Sequence, residues 1–215
     1  MIVVQCDFDD TITVGKVGAA LAEAFDSDGW LQIEEDYRAG KYSVEECNIR
    51  QYAVLKASRE DIRQFVHREI IFREAFAEFV SYCQRQSIRF VIVSSGLDAY
   101  ISPILSKYGL ENLETNSGRA NFKAHGIQVE YFDPSGRPIM SGFKESYVRH
   151  FKKSGHTVVY FGDGVSDIIP SQEADYVFAR SSLKSYLEDR GLPYYSFETF
   201  REPQRYLEEI MNQIE

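Results

Sequence analysis

Three times along this chain a short, largely apolar run stops abruptly at small or acidic polar residues. Residues 2–6 run into Asp7-Phe8-Asp9-Asp10-Thr11, residues 88–93 into Ser94-Ser95-Gly96, and residues 156–161 into Gly162-Asp163-Gly164. Continuous rather than alternating hydrophobicity marks strands covered on both faces, as in a parallel sheet. A shorter run at 175–179 reads as a fourth strand. Helical patterns separate them. Residues 73–86 carry Phe76, Phe79, Val80 and Cys83 on one face, and residues 144–153 end before Gly155, a helix stop. Strands alternating with helices predict an α/β fold built on a parallel sheet.

The first two strands are separated by a long segment that is helical in pattern throughout. Val17, Ala20, Leu21, Ala24 and Phe25 form one apolar stripe. Ser43-Val44-Glu45-Glu46 fits a capping box, in which serine and glutamate side chains satisfy the free N–H groups of a helix start. Ser58-Arg59-Glu60-Asp61 is a weaker version. The segment is too long for a simple crossover. Residues 14–75 are therefore expected to form a helical subdomain, with hinges at Val14-Gly15 and near Phe72, on a core of residues 1–13 and 76–215. Between 110 and 142 the helical pattern fails. Residues 127–131 followed by Asp133-Pro134-Ser135-Gly136 predict a small β-hairpin. Residues 203–215 read as an amphipathic helix.

The formal net charge is −9, and the only basic run is the pair Lys152-Lys153. Such a chain repels nucleic acid and anionic membranes, so neither is an expected partner. A phosphorylated substrate would need a locally positive site. Cys6, Cys47 and Cys83 lie far apart without a CxxC pair, which points to neither disulfides nor zinc. No basic leader or membrane-length apolar run is present, and a reducing cytoplasm is the expected location. His67, His125, His150 and His156 show no ligand spacing.

Ligands of open α/β sheets bind beyond the carboxyl ends of the strands. There Asp7, Asp9 and Asp163 would crowd together, and crowded carboxylates are costly without compensation. A hard divalent cation with oxygen ligands resolves the crowding, and Mg2+ suits such a site.

Asp7-Phe8-Asp9-Asp10-Thr11, the strand-ending Ser94, Lys144 and Gly162-Asp163-Gly164-Val165-Ser166-Asp167 occur in that order. Together they resemble the four motifs of the haloacid dehalogenase superfamily phosphatases. The position of the helical insert resembles the cap of the phosphoserine-phosphatase-like branch. The resemblance implies a Rossmann-like parallel core with a helical cap and an aspartyl-phosphate intermediate. It implies Asp7 as nucleophile and Asp9 as general acid and base. It implies Mg2+ held by Asp7, Asp163 and the Asp9 carbonyl, with Asp167 orienting its waters. Ser94, with Ser95 and Gly96, would bind the phosphoryl oxygens, and Lys144 would neutralise charge.

Two positions depart from the phosphoserine phosphatases: Lys16 stands where that group carries a glutamate, and Gln51 where it carries an arginine. The run Ser95 to Asp98 and the Val-Phe-Ala-Arg ending at Arg180 resemble the 2-hydroxy-3-keto-5-methylthiopentenyl-1-phosphate phosphatases. In that setting Lys16 and Arg50 are candidate substrate contacts. Ser95 replaces a glycine usual in both groups. The expected substrate is a small phosphorylated metabolite. A phosphoserine phosphatase-like enzyme, a phosphotransferase and an inactive phosphate-binding regulator stay open. A receiver-type signalling module needs neither Asp9 nor the insert. The oligomeric state is open.

Overall fold

The protein was analysed as a computed structural model that describes residues 1–25 and 27–214, without the side chains of residues 212–214. The chain begins with β1 (Ile2–Cys6), followed by four helices: α1 (Val17–Ala24), α2 (Trp30–Arg38), α3 (Val44–Ala53) and α4 (Arg59–Glu69). Next come α5 (Phe76–Arg85), β2 (Arg89–Leu97) and α6 (Asp98–Lys107). Three strands follow: β3 (Glu114–Lys123), β4 (Gly126–Phe132) and β5 (Pro138–Ile139). Then come α7 (Phe143–Lys153), β6 (Thr157–Gly162), α8 (Ile168–Glu173) and β7 (Tyr176–Ala179). The chain closes with α9 (Ser181–Asp189), β8 (Tyr195–Ser196) and α10 (Arg201–Ile214). Glu215, the last residue of the expected C-terminal helix, lies outside the described residues.

One eight-stranded sheet runs in the order β5-β4-β3-β2-β1-β6-β7-β8. The strands from β3 to β8 through the centre pair in parallel, while β3–β4 and β4–β5 are antiparallel. From β1 the chain builds outward through β2 and β3, then returns to place β6 on the other side of β1. That reversal falls at β1 and β6, and in such sheets ligands usually bind beyond the carboxyl ends of the strands at that point.

Val3, Val4, Cys6, Val91, Ile92, Val93, Val158, Val159 and Phe161 are fully buried, as largely apolar runs require of strands covered on both faces. Phe161 stacks on Phe178 with ring centroids 4.5 Å apart, and Phe76, Phe79 and Phe200 close the same layer. Each such ring contributes about 1.5–3 kcal/mol by leaving water. Cys6 is a core residue with no exposure.

Several boundaries differ from the sequence expectation. The first helix after the insert starts at Phe76 rather than residue 73 because Ala75 takes a left-handed conformation, φ 63°. β2 continues through the polar residues to Leu97, with an irregularity in its pairing to β3 between Ser94 and Leu97. The hairpin at Asp133 exists, but β4 also pairs with the ten-residue β3, which the sequence did not announce. Both expected capping boxes form: Ser43 with Glu46, and Ser58 with Asp61. Thr13 and Phe72, one at each end of the helical insert, meet in an antiparallel bridge. Among the described residues, no helix is long and apolar enough to cross a membrane.

Candidate active site

Register brings the polar strand ends together. Cys6 is level with Ile92 on β2 and with Phe161 on β6. Asp7 therefore leaves β1 beside the exits of Ser94 and Asp163, and its N–H donates to the Phe161 carbonyl at 3.0 Å. The turn that follows is bolted from below. Asp10 takes a left-handed φ of 55°, which aspartate tolerates better than most residues. Arg73 donates to the carbonyls of Asp10, Thr11 and Thr13 and contacts the Asp10 carboxylate. Arg180 reaches the same carboxylate at 3.0 Å.

Asp7, Asp163, Asp167 and Lys144 are all nearly inaccessible to solvent. Lys144, in the first turn of α7, places its Nζ 2.7 Å from Asp7 Oδ1 and 2.7 Å from Asp167 Oδ1, with Ser166 Oγ at 3.2 Å. Burial works against the lysine charge, but Asp167 and Asp7 outweigh it and raise its pKa. Tyr160 also donates to Asp167 Oδ1 at 2.6 Å, and the Asp163 and Gly164 N–H groups donate to Asp167 Oδ2. A Cβ on Gly162 would lie 2.5 Å from the Asp167 carboxyl carbon, so a side chain there would expel the carboxylate. Thr11 Oγ1 bridges Asp7 Oδ2 and Asp163 Oδ1 at 3.5 and 3.3 Å.

One lysine faces three carboxylates. Burial pushes the Asp163 carboxyl up, and the charges of Asp167 and Asp7 push it further. Asp7 is raised by burial against the pull of Lys144. One oxygen from each of Asp7, Asp163 and Asp167 lies within 4.8 Å of the others. This all-oxygen, net-negative donor set fits a hard dication such as Mg2+.

Asp9 stands apart from that trio. Its Oδ1 accepts from Val17 N–H at 2.8 Å, and its Oδ2 accepts from Tyr100 OH at 2.5 Å. Both carboxylate oxygens are thus engaged by Val17 and Tyr100, so a cation contact by Asp9 would fall to its backbone carbonyl. Burial raises its pKa, with the Tyr100 and Val17 bonds working in the opposite direction.

Ser94 is buried and its Oγ accepts from Gly96 N–H at 3.1 Å. Ser95 is also buried. Its carbonyl accepts from Asn48 and Tyr131, while its Oγ has no partner. Lys16 is exposed at the start of α1, where its carbonyl accepts from Ala20 N–H at 3.1 Å, and its charge favours the ionised forms of Asp9 and Asp163. Arg50 is not brought to this cluster. It is exposed on α3 and stacks over the Tyr42 ring at 4.3 Å. Gln51 is buried and bonds to Glu34 on α2.

Sequence reading passed over several groups that shape the site. Tyr160 lay inside an apolar run and read as core. Tyr100, Asn48, Glu45 and Arg73 sit on helices or at their edges, where a polar residue ordinarily faces solvent. Only the three-dimensional pairing distinguishes them.

The sequence matches the profile of the haloacid dehalogenase-like hydrolases over residues 4–169. Among curated relatives, a protein of Brevibacillus brevis named 2-hydroxy-3-keto-5-methylthiopentenyl-1-phosphate phosphatase is 30% identical, with 99% of this chain and 98% of that protein aligned. A Geobacillus kaustophilus protein of the same name is 29% identical over 93% and 92% of the two chains. Among solved structures, a phospho-aspartyl intermediate analogue of phosphoserine phosphatase superposes with a TM-score of 0.71 at 19% identity, covering 95% of this chain and 98% of that one. At that identity the likeness concerns the fold. The profile covers most of the chain, including β1, β2, α7 and β6 with the polar residues that end or begin them, and on that ground the chain belongs to the haloacid dehalogenase-like hydrolases and is an enzyme of that family.

Proposed function

We propose that the chain is a Mg2+-dependent phosphomonoester hydrolase that passes the phosphoryl group through Asp7. The observation that carries this reading is the buried Lys144 held between Asp7 and Asp167, with Asp163 completing the carboxylate cluster. Such a cluster is costly as a structural device. It is well suited to phosphoryl transfer, which depends mainly on positioning and electrostatics.

In this reading Asp7 attacks phosphorus, the ester oxygen leaves, and Asp9 gives it a proton. Asp9 then takes a proton from water as the water attacks the aspartyl-phosphate, and phosphate departs. Lys144 fixes the nucleophile and balances charge on the transferring group. Ser94, Ser95 and Gly96 line the phosphoryl position. Mg2+, held by Asp7, Asp163 and the Asp9 carbonyl, would neutralise the phosphoryl oxygens. Asp167, gripped by Lys144, Tyr160 and the Asp163 and Gly164 N–H groups, would complete this carboxylate set by orienting the cation's waters. Residues 14–75 would act as the cap that excludes water and reads the leaving group, with Lys16 the candidate contact.

The substrate would be a small phosphorylated metabolite. The names and full-length similarity of the curated relatives favour the methionine-salvage enol-phosphate, 2-hydroxy-3-keto-5-methylthiopentenyl-1-phosphate. The test is phosphate release from a panel holding that compound, phosphoserine, phosphoethanolamine and sugar phosphates, with and without Mg2+, beside Asp7→Asn. The reading expects metal-dependent release, lost in Asp7→Asn, with the enol-phosphate preferred. Release that persists in Asp7→Asn would overturn it.

A further inference from the structure

Helix α3 presents Glu45, Asn48 and Tyr52 along one face, at the three- and four-residue spacing that aligns helical side chains. Each touches a different part of the catalytic centre. Glu45 Oε1 accepts from the Phe143 N–H at 3.0 Å, one residue before Lys144. Asn48 Nδ2 donates to the Ser95 carbonyl at 2.8 Å. Tyr52 OH donates to Tyr100 OH at 3.4 Å, and Tyr100 OH donates to Asp9 Oδ2 at 2.5 Å.

The Tyr100 ring is fixed on both sides. Its centroid lies 6.5 Å from Phe8 and 6.5 Å from Tyr52, and the side chain has no solvent exposure. Space for its hydroxyl exists only because residue 96 is glycine: a Cβ there would sit 1.9 Å from the Tyr100 hydroxyl oxygen and 2.8 Å from Asp9 Oδ2. With Val17 N–H on Oδ1, Tyr100 fixes the carboxyl plane of Asp9. A carboxyl offers about four lone-pair positions, so two such bonds leave room for a proton in flight.

We propose that Tyr100 is a positioning residue for the acid/base Asp9, and that Tyr52 makes that positioning depend on the seating of helix α3. The proposal rests on the phosphatase reading above. When the ester oxygen leaves, its bond to phosphorus breaks, the Asp7–phosphorus bond forms, and the proton held by Asp9 passes to that oxygen. Tyr100 exchanges no proton in the step. It holds the donor in line, so its importance grows with the basicity of the leaving oxygen.

The experiment compares kcat/KM for an alkyl phosphate and for p-nitrophenyl phosphate, whose leaving group departs without a proton. The variants are Tyr100→Phe, Tyr52→Phe and the double variant, with Asp7→Asn as control. For Tyr100→Phe, kcat/KM on the alkyl ester should fall on the order of ten- to a hundred-fold while the aryl ester stays within about twofold. Retained aryl activity also proves that the variant is folded. Tyr52→Phe should show a smaller loss of the same selectivity, with no further loss when added to Tyr100→Phe. Equal losses on both esters, or no loss on either, would overturn the proposal and leave Tyr100 a packing residue. A wild-type protein inert toward both esters, or an active Asp7→Asn, would instead remove the phosphatase reading and the proposal with it.

Discussion

Lys144 shows why single residues mean little until they are placed. In isolation a lysine near a helix start is a solvated surface charge. Here it is buried between two carboxylates at 2.7 Å each, and a buried pair that loses one partner costs about 3–5 kcal/mol. Lys144→Met should therefore lower metal-free stability by about that amount in chemical denaturation and cut kcat roughly 10²–10³-fold. A variant of unchanged activity would contradict the charge-balancing role. The four motifs were legible because their residue types and order follow three strand ends and, for Lys144, a helix start. Tyr160 and Tyr100 were not: a tyrosine in a largely apolar strand looks like any other core ring, and one in the first turn of a helix looks like a surface residue, until their hydroxyls are seen on Asp167 and Asp9. Arg50 is the opposite case. A cationic side chain on the insert looks available for a substrate phosphate, and here its guanidinium lies 4.3 Å over the Tyr42 ring on the exposed side of α3.

At the scale of elements, the contact between α3 and the start of α7 makes a pH prediction. Burial outweighs the bond from Phe143 N–H and raises the Glu45 carboxyl above its ordinary value of 4.5. A carboxyl with a folded pKa above its unfolded one gives its full contribution to stability below the ordinary value. It loses that contribution as pH climbs through the raised value. Glu45→Gln keeps the acceptor for Phe143 N–H without the charge. Its melting temperature relative to wild type should rise as pH passes upward through that interval, then level off. A difference that stays flat with pH would contradict the burial argument. The central parallel strands were readable because burial on both faces leaves a largely apolar run without alternation. β3 was not, because Glu-Thr-Asn-Ser-Gly-Arg at its start carries no alternation. Its register comes from β2 and β4, not from its own pattern.

The whole molecule is organised around a concentrated negative centre that its own side chains balance only in part. Removal of a metal should therefore be visible in global stability. A cation at a hundredfold over its dissociation constant stabilises by about 2.7 kcal/mol, on the order of 5–10 °C for a chain of this size. Thermal melts should show that rise with Mg2+, and a much smaller one for Asp163→Asn. Equal shifts in both would place the cation elsewhere. That helices stand between β1 and α5 follows from the length and pattern of the chain there. Their closeness to the site does not, since it depends on pairings such as Asn48 with Ser95 and Tyr52 with Tyr100.

The central claim, that Asp7 carries the phosphoryl group, is tested most directly in an Asp9→Asn variant given p-nitrophenyl phosphate and Mg2+. That ester needs no acid to leave, whereas hydrolysis of the intermediate needs the missing base. A burst of one p-nitrophenolate per active site is the expected result. Mass spectrometry of the acid-quenched protein should find one added phosphoryl group on the peptide containing Asp7. Steady turnover without a burst, and with Asp7 unmodified, would contradict that claim and mean that phosphate passes directly to water.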